Sequence, residues 1–124
     1  MNFKENKAIY LQIADRIGDD IQAGRLQADG KVPSVRELAA QMEVNVNTVA
    51  RTYDYLQQSG VIYTKRGLGY FVSSDASDII VRLRREQLMQ GEMDYFFGQL
   101  RAVGVTPDEL RQKYEEFLAA DHGQ

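Results

Sequence analysis

The stretch from Pro33 to Arg51 restricts the fold of this chain more than any other segment. Ser34 followed by Glu37 is a capping box, in which the hydroxyl accepts from a backbone amide one turn on and the carboxylate reaches back. Pro33 keeps the residue before it out of helical geometry, so a helix starts sharply at this point. Val35, Leu38, Ala39 and Met42 recur at helical spacing and give that helix an apolar stripe. Val44 breaks the rhythm, and Asn45 is placed to cap a second helix. In the second helix Val49, Tyr53 and Leu56 share one face, which predicts burial. At about 100° per residue, Asn47 and Arg51 fall on the opposite side, with Thr48 and Tyr55 on a flank. A helix that buries one face and turns amides and a guanidinium outward suits the reading of base edges in a major groove.

The flanking segments extend this pair. Tyr10, Ile13, Ile17 and Ile21 predict an amphipathic helix ending near Ala23-Gly24, where glycine accepts left-handed backbone. Asp29-Gly30 marks a turn, and Gly60 closes the second helix of the pair. Val61 to Thr64 and Tyr70 to Val72 are short β-rich runs around the basic, glycine-rich Lys65-Arg66-Gly67-Leu68-Gly69, the pattern of a β-hairpin. Three helices and a hairpin make a winged helix.

Ser73 to Ser77 is a polar linker. Beyond it, apolar residues from Ile79 to Val103 predict one long amphipathic helix closed by Gly104. Thr106-Pro107-Asp108-Glu109 opens a last helix with a second capping box and proline at its first position. Leu110, Tyr114, Phe117 and Leu118 supply its apolar face. The expected fold is therefore mainly α with a small β-hairpin wing. A winged helix-turn-helix over residues 7–75 precedes a C-terminal αα-hairpin over residues 76–124. That hairpin carries more large apolar side chains than so small a unit covers alone. Met89, Met93, Phe96 and Phe97 read as a dimer seam, with an effector pocket as the alternative. Gly91 and Gly98, seven apart, fit either close approach by a partner helix or a kink.

Composition narrows the function. With no cysteine the chain has neither disulfides nor a thiolate metal site, and the single histidine, His122, reads as a surface residue of a polar tail. No metal or cofactor is expected. No apolar run approaches the roughly 20 residues of a membrane span, and Met1 to Lys7 lacks the apolar core of a secretory signal. A cytoplasmic protein is expected. The net charge of −3 does not exclude a nucleic-acid partner, because affinity depends on local phosphate contacts. Residues 1–75 hold nine Lys/Arg against nine Asp/Glu, whereas residues 76–124 hold six against nine. No glycine-rich phosphate loop stands between strand and helix, and no cluster of catalytic residue types appears, so an enzyme is not expected.

Gly24-Arg25-Leu26, the run Val32 to Ala39, Asn47 to Tyr53 and Gly60 to Gly69 occur in an order and spacing that closely resembles the GntR family of bacterial transcription regulators. The resemblance covers roughly residues 7 to 75, and the short tail is similar to that of the YtrA-type subgroup. It implies a sequence-specific regulator acting as a homodimer on double-stranded DNA at a pseudo-palindromic operator. It further implies a repressor of its own operon and of a neighbouring transporter operon, with any small-molecule effector unidentified. A winged helix that binds only protein is the alternative; an exposed face of Asn47, Thr48 and Arg51 favours DNA.

Candidate contacts follow from position. Ser34 and Arg36 open the capped helix, where a guanidinium reaches a phosphate or a guanine edge. Asn45 caps the recognition helix and, by the resemblance, neighbours DNA. Asn47 and Thr48 open that helix where backbone and base edges come close. Arg51 is the expected base reader, since bidentate arginine to guanine is the commonest specific contact. Many relatives carry arginine one position earlier, where this chain has Ala50, a rotation of about 100°. Lys65, Arg66 and Gly67 form the wing tip, which the resemblance places in a minor groove.

Overall fold

Side-chain caps start the two helices of the central pair. The computed structural model describes residues 7–120; the expectations for Met1 to Asn6 and for His122 lie outside them. Helices α1 (Ile9–Gln22), α2 (Val35–Met42) and α3 (Val46–Gln58) precede strands β1 (Ile62–Lys65) and β2 (Gly69–Val72). Both arms of the predicted capping box form at α2: Glu37 N donates to Ser34 Oγ at 3.1 Å, and Ser34 N donates to Glu37 Oε1 at 2.8 Å. The chain leaves α2 through Glu43 in left-handed geometry, with φ 56°. Asn45 Oδ1 then accepts from Asn47 N at 2.7 Å and starts α3. The turn between the two helices is thus only Glu43-Val44-Asn45.

Where α1 meets α3, the core is what the periodicity predicts. Ile13, Ile17 and Ile21 of α1 meet Val49, Tyr53 and Leu56 of α3, with Val61, Ile62 and Val72 beneath. Tyr53 is fully buried, and its hydroxyl donates to the Pro33 carbonyl at 2.6 Å. Burial holds that hydroxyl far above the ordinary tyrosine range.

β1 and β2 pair antiparallel from Ile62↔Val72 to Lys65↔Gly69. A third segment joins them, where the sequence predicts only a turn at Asp29-Gly30. Val32 N donates to Tyr70 O and Val72 N to Gly30 O, each at 2.9 Å, and Lys31 bridges Phe71. The outer edge of β2 is covered, and the wing is tied to the approach to α2.

Helix α4 (Ala76–Gln87) begins inside the stretch expected to be a linker. Ala76, Ile79 and Ile80 are buried in the winged-helix core. Arg84 donates to the Asp15 carbonyl at 3.0 Å, to Asp19 Oδ1 at 2.8 Å and to Gln22 Oε1 at 2.9 Å, all on α1. Gly18 makes room for it, since a Cβ there would lie 2.9 Å from Arg84 Nη2. The N-terminal compact unit therefore runs to Arg85, past the boundary expected after Asp75.

The second unit starts at Glu86. The long helix predicted here passes through one π-helical turn, Leu88–Glu92, before α5 (Met93–Ala102). Gly91 lies in that turn. Gly98 faces open space. After Gly104 (φ 77°), α6 (Pro107–Ala119) starts on the second predicted capping box, with Glu109 N donating to Thr106 Oγ1 at 3.2 Å. Apart from half-buried Leu110, α6 is exposed along its length. Tyr114, Phe117 and Leu118 of its apolar face stay more than half exposed. At the elbow, Phe97, Leu100, Val105, Pro107 and Leu110 help line a notch of about 620 Å³.

Candidate nucleic-acid interface

The candidate DNA-contacting residues of the N-terminal unit come from three elements: the start of α2, α3 and the wing. At the start of α2, Ser34 gives its hydroxyl to the cap and Arg36 points to solvent. Glu37 does not pair with Arg36; its carboxylate takes the Ser34 amide instead, and that hydrogen bond holds it below its ordinary pKa. Ser34 and Arg36 line a groove of about 390 Å³ with Lys31, Leu68 and Gly69, so the start of α2 and the tip end of β2 form one surface. Lys31 is a cation that the sequence reading missed. Its alternation with buried Val32 beside the Asp29-Gly30 turn was the available signal for a third strand.

On α3, Asn47 is exposed at the helix start, while half-buried Thr48 accepts from the Thr52 hydroxyl at 3.2 Å through its carbonyl. Asn45 is committed to its cap but keeps its amide end exposed. Arg51 is exposed and not loose: its guanidinium carbon lies 4.1 Å from the ring centroid of Tyr10 on α1. The sequence reading had Tyr10 only as part of the apolar face of α1.

The wing tip separates its three candidates. Lys65 Nζ lies 4.6 Å from the Phe71 ring centroid, so its stem is laid along the sheet. Leu68 N donates to Lys65 O at 2.9 Å and closes the tip as a β-turn. Arg66 stands exposed at its apex, and Gly67 (φ 78°) takes the left-handed position with open space around it. At the root, Tyr63 donates to Asp29 Oδ1 at 2.9 Å, a bond to a carboxylate that raises the pKa of the phenol.

A tight helix-turn-helix, a third supporting helix and a short basic wing define a winged-helix protein with its polar face on α3. The chain belongs to the family of bacterial regulatory proteins known as gntR, whose family profile matches residues 9–72. It is 36% identical over 115 residues to the Bacillus subtilis HTH-type transcriptional regulator YhcF, covering 93% of each chain. With the B. subtilis transcriptional repressor YtrA it shares 32% identity over 94% of its own length and 88% of YtrA. A GntR-family regulator from Bacteroides thetaiotaomicron superposes with a TM-score of 0.78 at 49% identity, covering 93% of this chain and all of that one. The DNA-binding domain of AraR in complex with operator ORX1 has a TM-score of 0.53 at 28% identity, over 56% of this chain and 84% of that one. The chain is thus a DNA-binding transcription regulator of the YtrA type.

Among the described residues, no group of three or more His, Cys, Asp or Glu gathers as a metal site would require. No helix among them is long and apolar enough to cross a membrane.

Proposed function

We propose that the protein acts in the cytoplasm as a homodimeric repressor on a pseudo-palindromic operator of its own operon, with a neighbouring transporter operon as a further target. It works by binding double-stranded DNA and not by catalysis. One observation carries this reading: Ser34 and Arg36 share a single groove with Leu68 and Gly69 of the wing, so α2 and the wing can follow one DNA backbone together. The start of α3, with Asn47, Thr48 and Arg51, enters the major groove, and Arg66 with Gly67 reaches the adjacent minor groove. Asn45 lies against the DNA backbone beside them. Lys65 contributes charge to the wing while packed on Phe71. The AraR DNA-binding domain, whose fold this chain shares, is in complex with an operator, which supports binding to double-stranded DNA.

The second unit makes the dimer. Met89 is 52% exposed, Phe96 46%, Phe97 42%, Tyr114 61% and Leu118 58%, an apolar area that a second copy would remove from water. A two-fold operator requires a two-fold protein. A chain ending at Arg85 keeps its core and should sediment as a monomer with most operator affinity lost. A dimer without the second unit would move the interface into the winged helix.

Footprinting on the region upstream of the gene tests the DNA reading. A protected two-fold site with steep salt dependence is expected, each phosphate contact adding about 0.9 to the slope. Failure of any upstream fragment to outcompete random DNA at low salt would overturn it. Site selection then separates the roles. Arg51→Ala should relax preference at one base position, whereas Arg36→Ala should weaken binding to all sequences and lower the salt slope by about 1.

A further inference from the structure

We infer that Tyr10 of α1 is a positioning residue for Arg51, its ring holding the guanidinium in the orientation from which it meets a base. This rests on Arg51 as the base contact proposed above. The guanidinium carbon is 4.1 Å from the Tyr10 ring centroid, a cation–π distance. Tyr10 is itself held by α3. Its carbonyl accepts from Thr52 Oγ1 at 2.8 Å, and Thr52 is fully buried. Its ring meets Tyr55 edge-on, with centroids 6.3 Å apart at 79°. Arg51 and Tyr55 stand four residues apart on one helical face, so both reach the same ring.

The chemistry divides the guanidinium cleanly. Stacking engages its face, while its N–H donors lie in its plane and point outward from the edge. Among the described residues none is tied by a hydrogen bond to those donors, which leaves them for the O6 and N7 of guanine. An arginine that swings freely loses rotamer freedom on meeting DNA; one already stacked has lost part of it beforehand. An arginine at Ala50 would lie about 100° round the helix and away from this ring. Tyr10 and an arginine at position 51 therefore form a matched pair.

Binding-site selection and operator affinity on the full chain test the pair, using Tyr10→Leu, Tyr10→Phe, Arg51→Ala and the Tyr10→Leu/Arg51→Ala double variant. Tyr10→Leu should reduce discrimination about two- to fivefold at the base position that Arg51→Ala relaxes, with affinity for random DNA unchanged. Tyr10→Phe keeps the ring and should behave as wild type, and Tyr10→Leu should add nothing once Arg51 is alanine. Equal weakening on operator and random DNA would show a merely structural residue and overturn the inference. So would an undiminished effect of Tyr10→Leu in the Arg51→Ala background. If Arg51→Ala relaxes selection while Tyr10→Leu does not, the inference alone fails; if Arg51→Ala changes nothing, the base contact itself fails. A readout on the unmutated free protein needs no variant to fold. The Arg51 side-chain N–H should be markedly more ordered by NMR relaxation than that of Arg66, and equal mobility would overturn the inference.

Discussion

Tyr53→Phe is the sharpest probe of how this fold holds its reading surface. The substitution removes one oxygen from a side chain with no solvent exposure and leaves the ring, including its edge contact with Tyr70 at 4.9 Å, in place. What is lost is the 2.6 Å hydrogen bond to the carbonyl of Pro33, the residue that leads into the Ser34 cap. A buried acceptor losing its donor costs about 1–3 kcal/mol. Because Pro33 is half-buried and not fully buried, the lower part of that range applies, about 1–2 kcal/mol. For a folding unit of this size, each kcal/mol lowers Tm by about 4–8 °C, so a fall of roughly 4–16 °C is expected at a fixed protomer concentration. The pH dependence gives a second arm. The folded-state pKa of Tyr53 is raised above its ordinary value of 10.0, chiefly by burial. The stability it contributes is thus complete below pH 10 and is lost as pH rises toward the folded value, because only the unfolded chain releases the proton. The phenylalanine variant has no such proton to lose, so the gap between the two proteins should close above pH 10. Thermal unfolding by circular dichroism from pH 7 to 11 measures both arms. A variant within a degree of wild type at pH 7, or a gap that stays constant above pH 10, would refute the reasoning.

Other outcomes follow from the same geometry. The depressed pKa of Glu37 means that the α2 capping box contributes fully above the ordinary value of 4.5 and is lost as pH falls through the folded pKa. Glu37→Gln keeps the box and should remove that part of the acid dependence in a pH titration of Tm. Gly18→Ala gains up to about 1 kcal/mol of helix propensity but crowds Arg84 Nη2 at 2.9 Å. It should be near neutral in the wild type and stabilising by about 1 kcal/mol in an Arg84→Ala background. A denaturant double-mutant cycle measures that coupling. A chain ending at Asp75 strips Ile79 and Ile80 from the core, at about 1.5–3 kcal/mol each. It should unfold at distinctly lower urea than a chain ending at Arg85, and equal midpoints would place the core elsewhere.

Most elements of the fold were legible in local stretches of the chain. Both capping boxes, the Asn45 cap, the apolar face of α3 and the wing hairpin are local features. Each is set by residues within one or two turns of one another, whose hydrogen bonds and periodicity do not wait for the rest of the fold. The candidate DNA contacts were legible for the same reason, because capping and helical phase put Arg36, Asn47 and Arg51 on exposed faces. Tertiary structure decided what joins residues far apart in the chain. Lys31 became part of the wing only because β2 offered it an open edge. Tyr10 met Arg51 only because Thr52 pins α1 against α3. A linker written in serines gave way to helix α4, since Ala76, Ile79 and Ile80 found apolar surface and Arg84 found carbonyl and carboxylate oxygens on α1. Polarity in a short segment reports its own hydration. Whether the residues after it dock depends on the shape and chemistry of a surface assembled from the whole unit.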